Sequence, residues 1–148
     1  MSQIDNIDRK IIRHMLGHGR TTMEALAQAV GLTKSPVIAR LKRLEAEGVI
    51  RGYAAIIDHV RLGAGHVSFV QVKLHDTRAE ALDAFNAAVM EVPEITECHM
   101  IASHFDYLLK IRTRDMAHYR KILGETLSAL PHVAHTSTFP VMEAVKDR

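Results

Sequence analysis

Lys34, Arg40, Lys42 and Arg43 crowd into one short part of the stretch GLTKSPVIARLKRLEAEGVIRGY (31–53), with no acid among them before Glu45. Cations at this density do anion chemistry: lysine meets phosphate as a point charge, and arginine offers a planar fork that matches phosphate or the edge of guanine. The threonines and serine nearby, Thr21, Thr22, Thr33 and Ser35, stand where helices should begin, and free N–H groups at helix starts also bind phosphate.

Other constellations carry less chemistry. Cys98 beside His99 has the elements of a nucleophile and base, but adjacent strand residues point to opposite faces. His132 and His135 are spaced for a metal, yet no compact set of three or four ligands accompanies them, so no metal and no cofactor is expected. Asp106 and Asp115 make no recognisable acid/base pair, and the GAG at 63–65 is a hinge rather than a phosphate loop. The methionines fall at packing positions. No enzyme is expected.

The chain has 148 residues, 47% hydrophobic and 24% charged, enough for one medium domain or two small ones. No apolar run reaches the ~20 residues of a membrane span, and MSQIDNIDRK is too polar for a secretory signal, so no membrane contact and a cytoplasmic location are expected. The single cysteine fits a reducing compartment. The net charge of +2 hides a division: residues 1–61 hold ten Lys and Arg against six Asp and Glu, whereas residues 62–148 hold nine against eleven. Nucleic acid is thus a partner for the first part only.

The elements that must position these groups follow from periodicity. Asp5 precedes a helical stripe of Ile7, Ile11, Ile12, Met15 and Leu16 that ends near Gly17 to Gly19. Thr21 with Glu24 reads as a capping box for a short helix at about 22–30, stopped by Gly31. Thr33 caps a third helix to about Glu47, with Pro36 in its first turn. VIRGYAAIID then reads as a short hairpin or extended wing. On the third helix Val37, Ile38, Leu41 and Leu44 form the inner stripe, and Ser35, Pro36, Ala39, Arg43 and Ala46, flanked by Arg40 and Lys42, lie opposite. Small residues beside cations suit a major groove about 12 Å wide. Two helices joined by a tight turn, with a supporting helix before and a hairpin after, make a winged helix-turn-helix.

Past the linker the pattern becomes a strand (HVSFVQVKL), a helix (79–90), strands ITECHMIA and FDYLLKIR, a helix (117–130) and a strand VAHTSTFPVMEAV. This βαββαβ order is a ferredoxin-like sandwich, so the class is α+β: a winged helix-turn-helix over 1–58, a linker over 59–66 and the sandwich over 67–148. One sheet face lacks helices, and a second copy of the chain is the simplest cover for it.

IDRKII, GRTTMEALAQAVGLTKSPVIARLKRLEAEGVIRGY, ITECHMI, FDYLLKIRTRDM, YRKILGETLSALPHV and TSTFPVMEAVK together resemble the Lrp/AsnC family of bacterial transcription regulators, from about Ile4 to Lys146. The C-terminal half looks closest to leucine-responsive proteins and activators of proline dehydrogenase. The resemblance implies a DNA reader joined to a domain that dimerises, assembles into octamers or other rings of dimers, and senses a small amino acid between dimers. It places the effector near Met100, Ser103, His104, Asp106, Met116, Phe139, Pro140 and Val141. Asp106 would receive the α-ammonium group. Ser103 stands where the family usually has glycine and His104 where it usually has an acid, so glycine's backbone freedom and one negative charge are absent at this turn.

The sequence therefore predicts a regulator of amino-acid metabolism on double-stranded DNA, tuned by proline or leucine. Ser35, Pro36, Ala39 and Arg43 enter the groove, and Thr22, Thr33, Lys34, Arg40 and Lys42 hold phosphates; Arg43 is the expected guanine reader, with Arg40 as substitute. The alternative is an amino-acid-binding assembly module whose basic helix is only solvated.

Overall fold

The computed structural model describes residues 3–147 and divides at Ile56/Ile57 into two compact units. The first holds three helices, α1 (Asn6–Gly17), α2 (Met23–Val30) and α3 (Lys34–Ala46). Their apolar stripes meet in one core of Ile11, Leu26, Ala27, Val30, Val37, Leu41 and Leu44. Asp5 caps α1 and exchanges bonds with Asp8 in a full capping box. Gly31 ends α2 at φ 74°, a left-handed conformation that a side chain would resist.

The cap of α2 is Thr22, whose hydroxyl accepts from the N–H of Ala25, not Thr21 as the Thr21/Glu24 spacing suggested. Thr21 turns instead to the His14 ring, 3.1 Å away. The capping-box pattern misleads by one residue because a threonine stands at both positions. Of the two expectations for VIRGYAAIID, a short hairpin or an extended wing, the hairpin does not form. Val49 and Ile50 pack on the helical core, but residues 51–57 belong to no strand, and a strand is defined by the ladder it shares with a neighbour. Tyr53, Ile56 and Ile57 are left exposed there.

The second unit contains β1 (His66–Leu74), α4 (Ala79–Met90), β2 (Ile95–Met100), β3 (Tyr107–Thr113), α5 (Met116–Glu125), a short 3-10 turn (Leu127–Ala129) and β4 (Val133–Pro140). The antiparallel sheet runs β2-β3-β1-β4, the order of a ferredoxin-like sandwich. Alternation sends Val70, Val72, Leu74, Tyr107, Leu109 and Ile111 into a core with Phe85, Val89 and Tyr119 of the two helices. Phe69, Leu108, Lys110 and Arg112 take the other face. The last helix is shorter than its apolar pattern, because the chain tightens into the 3-10 turn after Thr126. The final strand ends at Pro140, short of the expected VMEAV, and its last backbone bond to β1 runs from the N–H of Val141 to Val67. Among the described residues, no helix is long and apolar enough to cross a membrane.

Candidate functional site

On α3 the buried residues Val37, Leu41 and Leu44 fix which side is free. Ser35, Pro36, Ala39, Lys42 and Ala46 are exposed on that side, as the wheel predicts. Small side chains around Lys42 let another surface come close to the helix backbone. Thr33 begins the helix without a side-chain capping bond, so its hydroxyl is available at the terminus, as are the helix's first N–H groups.

The cations are distributed differently from the expectation. Arg43 does not stand out from the free face; its Nη2 lies 2.5 Å from Asp8 Oδ2. Arg40 Nη1 reaches both Asp8 Oδ1 (2.8 Å) and Asp5 Oδ2 (2.6 Å). The Asp8 side chain is fully shielded from solvent. Burial alone would push its carboxyl up, but the Asp5 N–H and the two guanidinium groups outweigh that and hold it at about 2. Asp5 is likewise held below the usual carboxylate range, by the Asp8 N–H and then by Arg40. Lys34 pairs with Glu24 of α2 across the turn, at an exposed position. Among the described residues, Lys42 alone of the four α3 cations makes no ion pair.

Asp8 was the residue that sequence reasoning missed, and a signal existed. It lies three and four residues before Ile11 and Ile12, on the inward stripe of α1, where an acid must find a partner.

The expected effector residues fall into two groups. Met100 ends β2, Ser103 and His104 follow in the connecting loop, and Asp106 precedes β3. Phe139 and Pro140 end β4, Val141 follows, and Met116 opens α5. Along β1, Val72 pairs with Tyr107 beside the first group, while Ser68 pairs with Pro140 in the second. Four residues of strand, about 13 Å at the usual rise, separate those registers. One copy of the chain therefore does not gather all eight around one point.

Asp106 is committed within its own chain. Its Oδ2 accepts from the N–H of Leu74 (2.8 Å) and its Oδ1 from Lys73 Nζ (3.0 Å). Burial works against ionisation, but these two donors keep the carboxyl below its ordinary value. A carboxylate still has lone-pair sites for a further cation. Ser103 does not adopt a positive φ; His132 is the one described non-glycine residue that does. Serine therefore fits the backbone at this turn. Its Oγ lies 3.1 Å from His104 Nδ1.

Cys98 is half-buried against the helix-side core, whereas His99 is exposed and reaches Glu97, so the two do face apart.

A three-helix reader followed by a split βαββαβ unit is the architecture of a two-domain regulator, and comparison with known proteins gives the family. Residues 4–51 match the winged helix-turn-helix DNA-binding domain, and residues 67–148 match the Lrp/AsnC ligand binding domain. The chain is 53% identical over 145 residues to a proline dehydrogenase transcriptional activator of Rhodobacter capsulatus, covering 98% of this chain and 94% of that protein. It is 44% identical to a leucine-responsive regulatory protein of Salmonella typhimurium, covering 97% and 87%. The crystal structure of a transcriptional regulator from Neisseria meningitidis in complex with L-methionine superposes with a TM-score of 0.93 at 30% identity, covering 98% and 94%. The chain belongs to the Lrp/AsnC family, a family of transcription regulators and not of enzymes, with a winged helix-turn-helix DNA-binding domain and a ligand-binding domain.

Proposed function

We propose that this regulator presents α3 to the major groove of duplex DNA and controls genes of amino-acid metabolism under a small amino-acid effector. The observation that carries the reading is the exposed line of Ser35, Ala39, Lys42 and Ala46 on a helix whose opposite side is buried. Ser35, Pro36 and Ala39 meet base edges, while Lys42, Thr22, Thr33 and Lys34, the last after parting from Glu24, meet phosphate. Arg40 and Arg43 remain within reach of the backbone but are bound first to Asp8.

The names of the relatives point to proline and leucine as the first amino acids to test. Because the eight effector residues divide between two ends of the sheet, the effector site is completed by another copy of the chain, as a dimer or a ring of dimers. Regulation of this kind takes place in the cytoplasm, beside the chromosome.

The test is a fluorescence-anisotropy titration of the DNA upstream of the protein's own gene, at several salt concentrations, with and without proline or leucine. Tight, salt-sensitive binding that shifts with one amino acid supports the reading. Amino-acid binding without duplex affinity would make the protein an assembly module, a reading favoured by the internal pairing of three α3 cations.

A further inference from the structure

The reader helix is quieter electrostatically than its sequence. Four cations project from α3, yet Lys34 is paired to Glu24, and Arg40 and Arg43 to Asp5 and Asp8. The two kinds of pair differ. Glu24 and Lys34 are both exposed and part readily, whereas Asp8 is shut away from solvent and touches both arginines. An acid in that position cannot give up its partners without leaving a buried charge alone.

We propose that Asp8, assisted by Asp5, is a positioning residue of the DNA reader: it seats α3 on α1 through Arg40 and Arg43 and withholds both arginines from phosphate, so that grip on DNA of any sequence is kept low. This goes beyond the proposed reading, on which it rests, by assigning the two arginines to the protein's own α1 and leaving non-specific contact to Lys42 and the helix termini. Affinity for random sequence grows with each phosphate neutralised, and the salt slope counts those contacts. Removing the restraining acid should therefore tighten binding, whereas loss of a merely structural acid would weaken it.

Asp8→Asn and Asp5→Asn suit the test because asparagine keeps the size of aspartate and one accepting oxygen for the capping bond, while it loses the charge and turns the other oxygen into an N–H donor that cannot hold an arginine. The full chain is titrated against a short random-sequence duplex over a range of salt. Circular dichroism and thermal melting establish that each variant is folded. The expected result is binding roughly three- to tenfold tighter, with a log–log salt slope steeper by about one. On an Arg40→Gln/Arg43→Gln background the gain should vanish. A gain that persists there comes from net charge alone and overturns the assignment. Unchanged or weaker binding in folded Asp8→Asn, with an unchanged slope, also overturns it. If Asp8→Asn does not fold, Asp5→Asn decides, since it frees part of Arg40 at an exposed site, and an unchanged slope there sinks the idea. Failure of the DNA reading itself looks different: the wild type then binds no duplex, and Lys42→Ala changes nothing.

Discussion

Arg43 of the third helix is tied to Asp8 of the first by a 2.5 Å contact between Nη2 and Oδ2, at an acid wholly shielded from solvent. Breaking a fully buried pair by deleting one partner usually costs about 3–5 kcal/mol, and the cost here falls below that because Arg40 and Arg43 keep about a third of their surface in solvent. Asp8→Ala should thus be among the most destabilising substitutions in the N-terminal unit, since it removes the anion and half of the capping box together. Thermal denaturation of the full chain measures it; a loss below about 1 kcal/mol, the range of surface pairs, would contradict this placement.

The same acid sets a pH dependence. Its carboxyl is held at about 2 in the fold, below its ordinary value of 3.8, so the stability it supplies is fully present above pH 4. That stability is lost as pH falls from about 4 to 2. In Asp8→Asn the decline of melting temperature over that window should be shallower than in the wild type. Parallel curves would mean that other carboxylates dominate.

Lys42 makes no ion pair among the described residues and stands exposed on the free side of α3. Lys42→Ala should weaken operator and random duplex alike and flatten the salt slope by about one. Ala39→Glu, by contrast, places an acid at the centre of the exposed line and should abolish binding without lowering the melting temperature. Retained binding in Ala39→Glu would move the reader elsewhere.

Thr22 and Thr21 offer a comparison of neighbours. Thr22→Ala removes the α2 cap and should cost about 1 kcal/mol, whereas Thr21→Ala loses a contact to His14 and a long bond to the Thr22 carbonyl, neither of them a helix cap, and should cost less. Equal losses would return the cap to the position that the Thr21/Glu24 spacing implies.

In the effector domain, Asp106→Asn should abolish any shift in DNA affinity caused by proline or leucine. Ser103→Gly should leave the fold intact, since the serine occupies an ordinary backbone conformation. A surviving effector response in Asp106→Asn would show that the ammonium group is received elsewhere.

The helices and strands were legible because their stripes are long and regular: β1 and α4 lie where periodicity put them, at His66–Leu74 and Ala79–Met90. The inner side of α3 was legible for the same reason. The direction of Arg43 was not. A wheel fixes where a Cβ points, but arginine's chain is long enough to cross to the next helix and its charge goes where an anion waits. That anion lay thirty-five residues earlier, so the pair belongs to tertiary structure. Of the two readings of VIRGYAAIID, the hairpin was not realised for a related reason: alternation describes a surface, whereas a ladder also requires a neighbour. The effector residues were recognisable only by resemblance, because no local pattern joins the two ends of a sheet.

Asp106 sits where the pairing of β1 with β4 slips, between Lys73 and Leu74. The N–H of Leu74 bonds to the Asp106 carboxylate, so a side chain serves as a rung of the sheet. An ammonium group arriving at this acid meets an oxygen pair already occupied by Lys73 and Leu74. The acid that precedes β3 thus fastens the end of β1, at the level where the pairing of β1 with β4 on its other side changes register.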